Sequence, residues 1–313
     1  MHNILSAGLK VNHKSYPWAW CKNHRWLERV AQVYWLIFWP LHVLRDANTI
    51  VVAHSFFVAN PLVYFIRNKK MYNLFQGEEF LLLAYPFNKI VQYFFYKEVK
   101  FFLTLPTNKY LAQQVVDRGG DVYLPVVSLG PKRFFYKNNP GNIASKKIII
   151  FARDGANKGV DLAIELYKNK HTVYEFVFIA AGDLSRNKLS INGINYLADL
   201  KPEVVSEVLS SGQVLFLPSS YEGLSLPMLE AVAAGMMVVT CTDGFPRWAA
   251  TQSNRIIYVE DKSLNKIEIA LSKAFLNLGA TGSLGRDEVF HVENYSFEGF
   301  CKDIAAEIVS SSA

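Results

Sequence analysis

Apolar runs of strand length recur along the second half of the chain, and each stops at a charged or turn-forming residue. Lys147-Ile-Ile-Ile-Phe-Ala-Arg153 reads as a buried strand that delivers Arg153 to a loop, and Val214-Leu-Phe-Leu217 as another that opens at Pro218-Ser-Ser-Tyr-Glu-Gly223. After each run the apolar spacing turns helical. Leu162, Ala163 and Leu166 share the inward face of an amphipathic helix that begins at Lys158. Leu229, Ala231, Val232 and Ala233 sustain a second helix, with Ser225 at its N-cap, Pro227 in its first turn and Gly235 at its end. In the first half, Asn48-Thr-Ile-Val-Val-Ala-His54 is a β-branched strand ending in a histidine, and Met71 to Phe75 predicts a further strand. Phe297, Phe300, Ile304 and Ile308 give the last segment helical spacing.

Length and composition fit two α/β units, since the chain has 313 residues, 51% of them hydrophobic. Charge divides them. Residues 1–140 hold 17 Lys and Arg against 7 Asp and Glu, whereas the remainder holds 16 against 20. The polar Pro/Gly stretch from Lys137 to Ser145 is the expected join. The three cysteines, Cys21, Cys241 and Cys301, are scattered without metal-ligand spacing and read as reduced thiols in the cytoplasm. No basic-then-apolar leader opens the sequence, so export is not expected. Asp-x-Asp, Gly-x-Gly-x-x-Gly and Walker patterns are absent from the sequence, so neither a divalent metal, a nicotinamide nor ATP is indicated.

Candidate chemistry gathers on the two strand-loop-helix units. Glu222 and Glu230 lie eight positions apart, one before the second helix and one inside it. Between them, the backbone N–H groups of Gly223, Leu224 and Ser225 stand at the positive end of that helix, a site suited to phosphate. Ionised carboxylates beside it accept hydrogen bonds from sugar or ribose hydroxyls. Arg153 and Lys158 sit at the carboxyl end of a strand, the edge where open α/β sheets bind ligands, and together can neutralise a diphosphate. Taken singly, the glutamates fit a solvated surface pair and the cations fit surface residues; their order along the chain favours one site.

Arg153, Lys158-Gly-Val-Asp161, Ala181-Gly-Asp183, Pro218-Ser219, Glu222-Gly223, Pro227, Glu230-Ala231, Ala233 and Gly235 recur in the order and spacing of a known family. Across about half the chain the sequence resembles the nucleotide-binding half of GT-B-fold glycosyltransferases of family 4, the glycosyl transferases group 1. It departs from the pattern at Ala152 and Ser225, where glycine is usual, and at Asn254-Arg255 in place of Asn-Gly. The resemblance implies two Rossmann-like domains facing a cleft: residues 1–140 on the acceptor side, residues 141–295 binding the nucleotide sugar, and a C-terminal helix, 296–313, returning to the first domain. It implies further that Glu222 holds donor-sugar hydroxyls and Glu230 the ribose, that Arg153 with Lys158 stabilises the diphosphate, that Gly182 belongs to the nucleotide site, and that the stretch around Leu197 lines the base. His54, by the same resemblance, faces the donor sugar or assists the transfer; a histidine hydrogen-bonded at a strand end is the plainer alternative.

The first half departs more. It reaches the His54 strand after few residues, and its glycine-rich turn is reduced to Ala7-Gly8. In place of the missing units, five of the six tryptophans lie between Trp18 and Trp39, beside Lys10, Lys14, Lys22, Arg25 and Arg29. Trp18, Trp20 and Trp26 with these cations suit peripheral contact at the inner face of the plasma membrane, and equally suit a helical core. The apolar run from Val33 to Trp39 is far short of the roughly 20 residues a bilayer span needs. No RNA- or DNA-binding pattern appears.

The expected activity is a retaining, metal-independent transfer of a sugar from a UDP- or GDP-linked donor to a glycan or lipid-linked acceptor, in bacterial-type surface polysaccharide, lipopolysaccharide or glycoconjugate assembly, with no cofactor. A sugar-nucleotide epimerase of the same fold and a catalytically silent nucleotide-sugar-binding partner are the rival expectations.

Overall fold

The computed structural model describes residues 51–54, 71–75, 103–117 and 146–281, with single positions at 89, 132, 135, 299, 302, 303 and 306. The chain divides into two compact units, Met1–Val127 with Cys301–Ala313, and Ser128–Phe300. The expected join at 137–145, the tryptophan-rich segment and Ala7-Gly8 lie outside the described residues.

In the first unit, β1 (Val51–His54), β2 (Met71–Phe75) and β3 (Leu103–Pro106) form a parallel sheet in sequence order. Helix α1 (Lys109–Asp117) follows β3 and buries Leu111 and Val115. Its start is set by Asn108, whose buried side chain accepts the Leu111 N–H at 2.8 Å and so satisfies a donor that has no partner inside the helix.

The second unit is a six-stranded parallel sheet. Its strands are β4 (Lys147–Arg153), β5 (Glu175–Ala181), β6 (Tyr196–Ala198), β7 (Val214–Leu217), β9 (Met237–Thr240) and β11 (Ile256–Tyr258), in the order β11-β9-β7-β4-β5-β6. Counted within the unit, this is the doubly wound order 3-2-1-4-5-6, which reverses direction between β4 and β7. Short β8 (Tyr221–Glu222) and β10 (Asp243–Gly244) pair beyond it.

The continuous apolar runs follow from this topology, because central parallel strands are covered on both faces. Ile148, Ile150, Val214, Phe216, Met237 and Val239 build one core with Ala163 and Leu166 of α2 (Val160–Lys170), Leu189 of α3 (Asp183–Ile191), and Ile267, Leu271 and Ala274 of α7 (Leu264–Thr281). The alternate positions Ile149, Leu215 and Val238 are equally buried, and α5 (Leu226–Ala233) packs on β7 and β9 and against α4 (Pro202–Ser211). A short α6 (Phe245–Ala250) lies against β10 and β11.

Helix α5 ends as its sequence predicts. Gly235 N–H donates to the Val232 carbonyl and Met236 N–H to the Ala231 carbonyl, both at 3.0 Å, the paired closure that satisfies the last free carbonyls. At its other end Ser225 occupies the expected N-cap position, but its side chain makes no cap hydrogen bond.

Candidate functional site

The end of β7 is fastened before the chain turns away. The Leu217 carbonyl accepts the Thr240 and Thr242 hydroxyls, each at 3.2 Å, and both threonines are wholly buried. From this fixed point Pro218 to Ser220 lead into β8, which carries Glu222.

Glu222 is the centre of the site. It is 7% exposed, and its Oε1 receives Arg153 Nη2 at 2.5 Å and Lys158 Nζ at 3.0 Å. Arg153 is the last residue of β4 and Lys158 the last of a 3-10 turn, Ala156–Lys158, between β4 and α2. Two cations and one carboxylate thus meet outside the carboxyl ends of β4 and β7, where the strand order reverses and open α/β sheets bind their ligands. Among these three side chains one positive charge is in excess, because a single carboxylate faces two cations. The Nε of Arg153 is buried and has no partner.

Glu230 lies in α5. Burial pushes its carboxyl up to about 7, against the opposing pull of the Arg153 and Lys132 cations. At the head of the same helix Ser225 is wholly buried and its Oγ has no hydrogen-bond partner. Gly223 is buried and Leu224 half-buried in the turn that leads to it. Arg153, Lys158, Glu222 and Glu230 are therefore brought into one electrostatic site, with the start of α5 between the two glutamates in sequence.

The remaining sequence-derived residues lie on other elements. Gly182 is the N-cap of α3, and the space a side chain would occupy there is filled by the Asp154 carboxylate. Leu197 is on the edge strand β6 and 39% exposed. Next to β6, Asp199 is the one non-glycine residue with positive φ (53°) among the described residues, and its carboxylate holds Arg186 of α3 at 2.5 Å. His54 closes β1 and belongs to the first unit.

Two residues at the site were not anticipated from the sequence. Asp154 accepts the Ser185 N–H at 2.7 Å and the Leu184 N–H at 3.3 Å, and the backbone donor of Ser185 is the main cause that holds its carboxyl below the ordinary range. Lys132, whose carbonyl accepts the Phe135 N–H at 3.0 Å, acts on Glu230 through its charge. The legible signal for Asp154 is an acid directly after a strand-terminal arginine; Lys132 has none. Among the described residues no three His, Cys, Asp or Glu side chains gather as a metal-ligand set, and no helix is long and apolar enough to cross a membrane.

Residues 133–276 match the family model for glycosyl transferases group 1. Comparison of the sequence with curated proteins finds no match. Among solved structures the chain is similar to Alr3699/HepE of Anabaena in complex with UDP and glucose, at 12% identity and a TM-score of 0.67, covering 87% of this chain and 81% of that one. It is similar to sucrose-phosphate synthase of Thermosynechococcus elongatus at 12% identity and 0.67, over 90% and 78%. Trehalose 6-phosphate synthase of Burkholderia multivorans resembles it at 12% identity and 0.65, over 99% and 80%.

Proposed function

We propose that the chain, whose residues 133–276 match the family model for glycosyl transferases group 1, is a glycosyltransferase that moves a sugar from a UDP- or GDP-linked donor to a hydroxyl of a glycan or lipid-linked acceptor, with retention and without a metal. The observation that carries the reading is the single Glu222 oxygen shared by Arg153 and Lys158 at the reversal point of the sheet. Two cations held ready by one carboxylate are suited to a diphosphate, whose charge grows as it leaves.

In this mechanism the donor diphosphate lies against Arg153, Lys158 and the start of α5. The bond from the anomeric carbon to the phosphate oxygen breaks as the bond to the acceptor oxygen forms on the same face. The acceptor proton passes to the departing phosphate oxygen, so no protein nucleophile is needed. Glu222 has its second oxygen for a sugar hydroxyl, and Glu230 accepts from the ribose when ionised. The acceptor lies in surface polysaccharide or glycoconjugate assembly at the cytoplasmic side of the membrane. Trp18, Trp20 and Trp26 with their neighbouring cations supply peripheral attachment, and liposome flotation unchanged by their replacement with Ala would remove that part.

The test is transfer from a panel of UDP- and GDP-sugars by the wild type and by R153A, K158A and their combination. Each single change is expected to lower kcat by about 10²-fold or more, as for the loss of one donor to a developing anion. Unchanged turnover in the double variant refutes the assignment.

A further inference from the structure

The loop joining β4 to α2 runs between the two cations, with Arg153 at the end of β4 just before it and Lys158 near its own end, and it is pinned at two points. At the first pin, Asp154 N–H donates to the Ala181 carbonyl at 3.2 Å, and the Asp154 carboxylate accepts the Leu184 and Ser185 N–H groups of the first turn of α3. At the second, the Asn157 carbonyl accepts Ser220 N–H at 2.7 Å.

Both pins depend on a glycine in the left-handed half of backbone space. A Cβ on Gly182 (φ 105°) would stand 2.3 Å from Asp154 Cγ, and one on Gly159 (φ 68°) 2.1 Å from the Pro218 carbonyl oxygen. No side chain could replace either without moving the loop. The two cations thus flank a segment whose ends are tied to the two neighbouring strand-helix turns. The second pin rests on the Asn157 carbonyl, a backbone atom that accepts both the N–H and the hydroxyl of Ser220. The first adds to its backbone bond a side chain, the Asp154 carboxylate, one residue beyond Arg153.

We propose that Asp154 is a positioning residue for sugar transfer: by docking its carboxylate on the first turn of α3, it sets the direction in which β4 presents Arg153 to the leaving diphosphate. This rests on the donor-site reading above. The Asp154 carboxylate bonds to the first turn of α3 and not to Glu222; it acts through the backbone it shares with Arg153. Displacement of a charge-stabilising group by about 1 Å is enough to cost up to about 10²-fold in rate, so a pin on the adjacent residue has kinetic leverage beyond the helix it caps.

The experiment is a double-mutant cycle on the full chain, D154A and D154N each with and without R153A, read as kcat and KM with a UDP-sugar donor beside the UDP dissociation constant from calorimetry. In the Arg153 background, D154A is expected to lower kcat by about tenfold with donor KM changed by less than about threefold, and D154N, which keeps the shape and a carbonyl acceptor, to recover most of that loss. In the R153A background, either change is expected to alter kcat by less than about twofold. Equal losses in both backgrounds, or no recovery in D154N, overturn the proposal while leaving the donor site intact. Should D154A fail to fold, the D154N cycle carries the same comparison. A wild type that neither binds UDP or GDP nor turns over any donor overturns the donor-site reading and this proposal together.

Discussion

Helices α3 and α5 both start at the carboxyl edge of the same sheet, and their N-termini are treated in opposite ways. The head of α3 is closed: Asp154 places a carboxylate on its first amide groups, and Gly182 leaves room for it. The head of α5 has no side-chain cap, and the one hydroxyl that could supply it, Ser225 Oγ, is buried without a partner. A helix start gathers unpaired N–H groups and partial positive charge, so each has an affinity for anions. At α3 a carboxylate of the protein answers that affinity; at α5 no side-chain cap does, and Glu222, which holds Arg153 and Lys158, lies three residues before the N-cap. On the proposed donor-site reading, the contrast marks the start of α5 as the end that receives the diphosphate.

The comparison breaks most severely at Glu222. In Glu222→Ala two cations lose their shared counter-ion. Removal of one partner from a buried pair costs about 3–5 kcal/mol; Arg153 and Lys158 are 26% and 21% exposed, so the lower end, about 3 kcal/mol, is expected. Transfer should fall with it. Nucleoside diphosphate supplies the missing negative charge, so UDP is expected to raise the unfolding temperature of the variant by more than that of the wild type. Thermal melts with and without UDP read both effects. A variant that UDP stabilises less than the wild type would mean that the open helix start and its cations do not receive the diphosphate.

A second way to sharpen the contrast uses pH, because the carboxyl that closes α3 and the one inside α5 are shifted in opposite directions. Asp154 is held below its ordinary value by the amides it caps, whereas Glu230 is raised from 4.5 to about 7 by burial. For Glu230 the folded protein keeps a proton that the unfolded chain has already released between those two values. Its contribution to stability therefore falls as pH rises through that interval and is constant above it. The slope is at most about 1.4 kcal/mol per pH unit, and since Glu230 is only partly buried the whole change is expected to be about 2 kcal/mol. Nucleotide affinity should run the other way, rising through about pH 7 as the carboxylate becomes available to ribose hydroxyls. Glu230→Gln should flatten both curves. Denaturation midpoints and UDP calorimetry across the range check them, and parallel rather than opposed trends would remove Glu230 from the ribose.

The same contrast explains what was legible in the sequence. The strands of the second unit, the inward faces of α2 and α5, and the end of α5 at Gly235 are read from neighbouring residues, since apolar runs and turn residues act locally. Arg153, Lys158, Glu222 and Glu230 were found because each stands where such a run stops. What they do to one another was not: Glu222 meets its cations across 69 and 64 positions, and reading it as a group for hydroxyls overlooked that it is also their counter-ion. Asp154 escaped for the same reason, as its bonds span 30 and 31 positions. Ser225 was placed correctly at an N-cap, yet residue type alone does not tell whether the cap bond forms. In the first unit the strands ending at His54 and Phe75 were legible from β-branched and apolar runs, while the motifs that would assign an acceptor are reduced.

The smallest expected effect lies at Ser225. A buried hydroxyl without a partner is an energetic liability of about 1–3 kcal/mol, and its survival at the head of α5 needs a compensating use. If the hydroxyl has no role, Ser225→Ala removes the liability and nothing else: stability rises by about 1 kcal/mol and UDP affinity stays the same. If the bound diphosphate shifts the α5 start and turns Oγ toward a phosphate oxygen, the same change raises stability of the free protein and weakens UDP by about three- to tenfold, the worth of one hydrogen bond. The second outcome is expected, because Arg153 Nε is likewise buried without a partner, and two such donors in one site suit an anion. Asp154→Ala supplies the control at the closed end. There the capping groups are already paired, so its loss should lower the stability of the free protein rather than raise it.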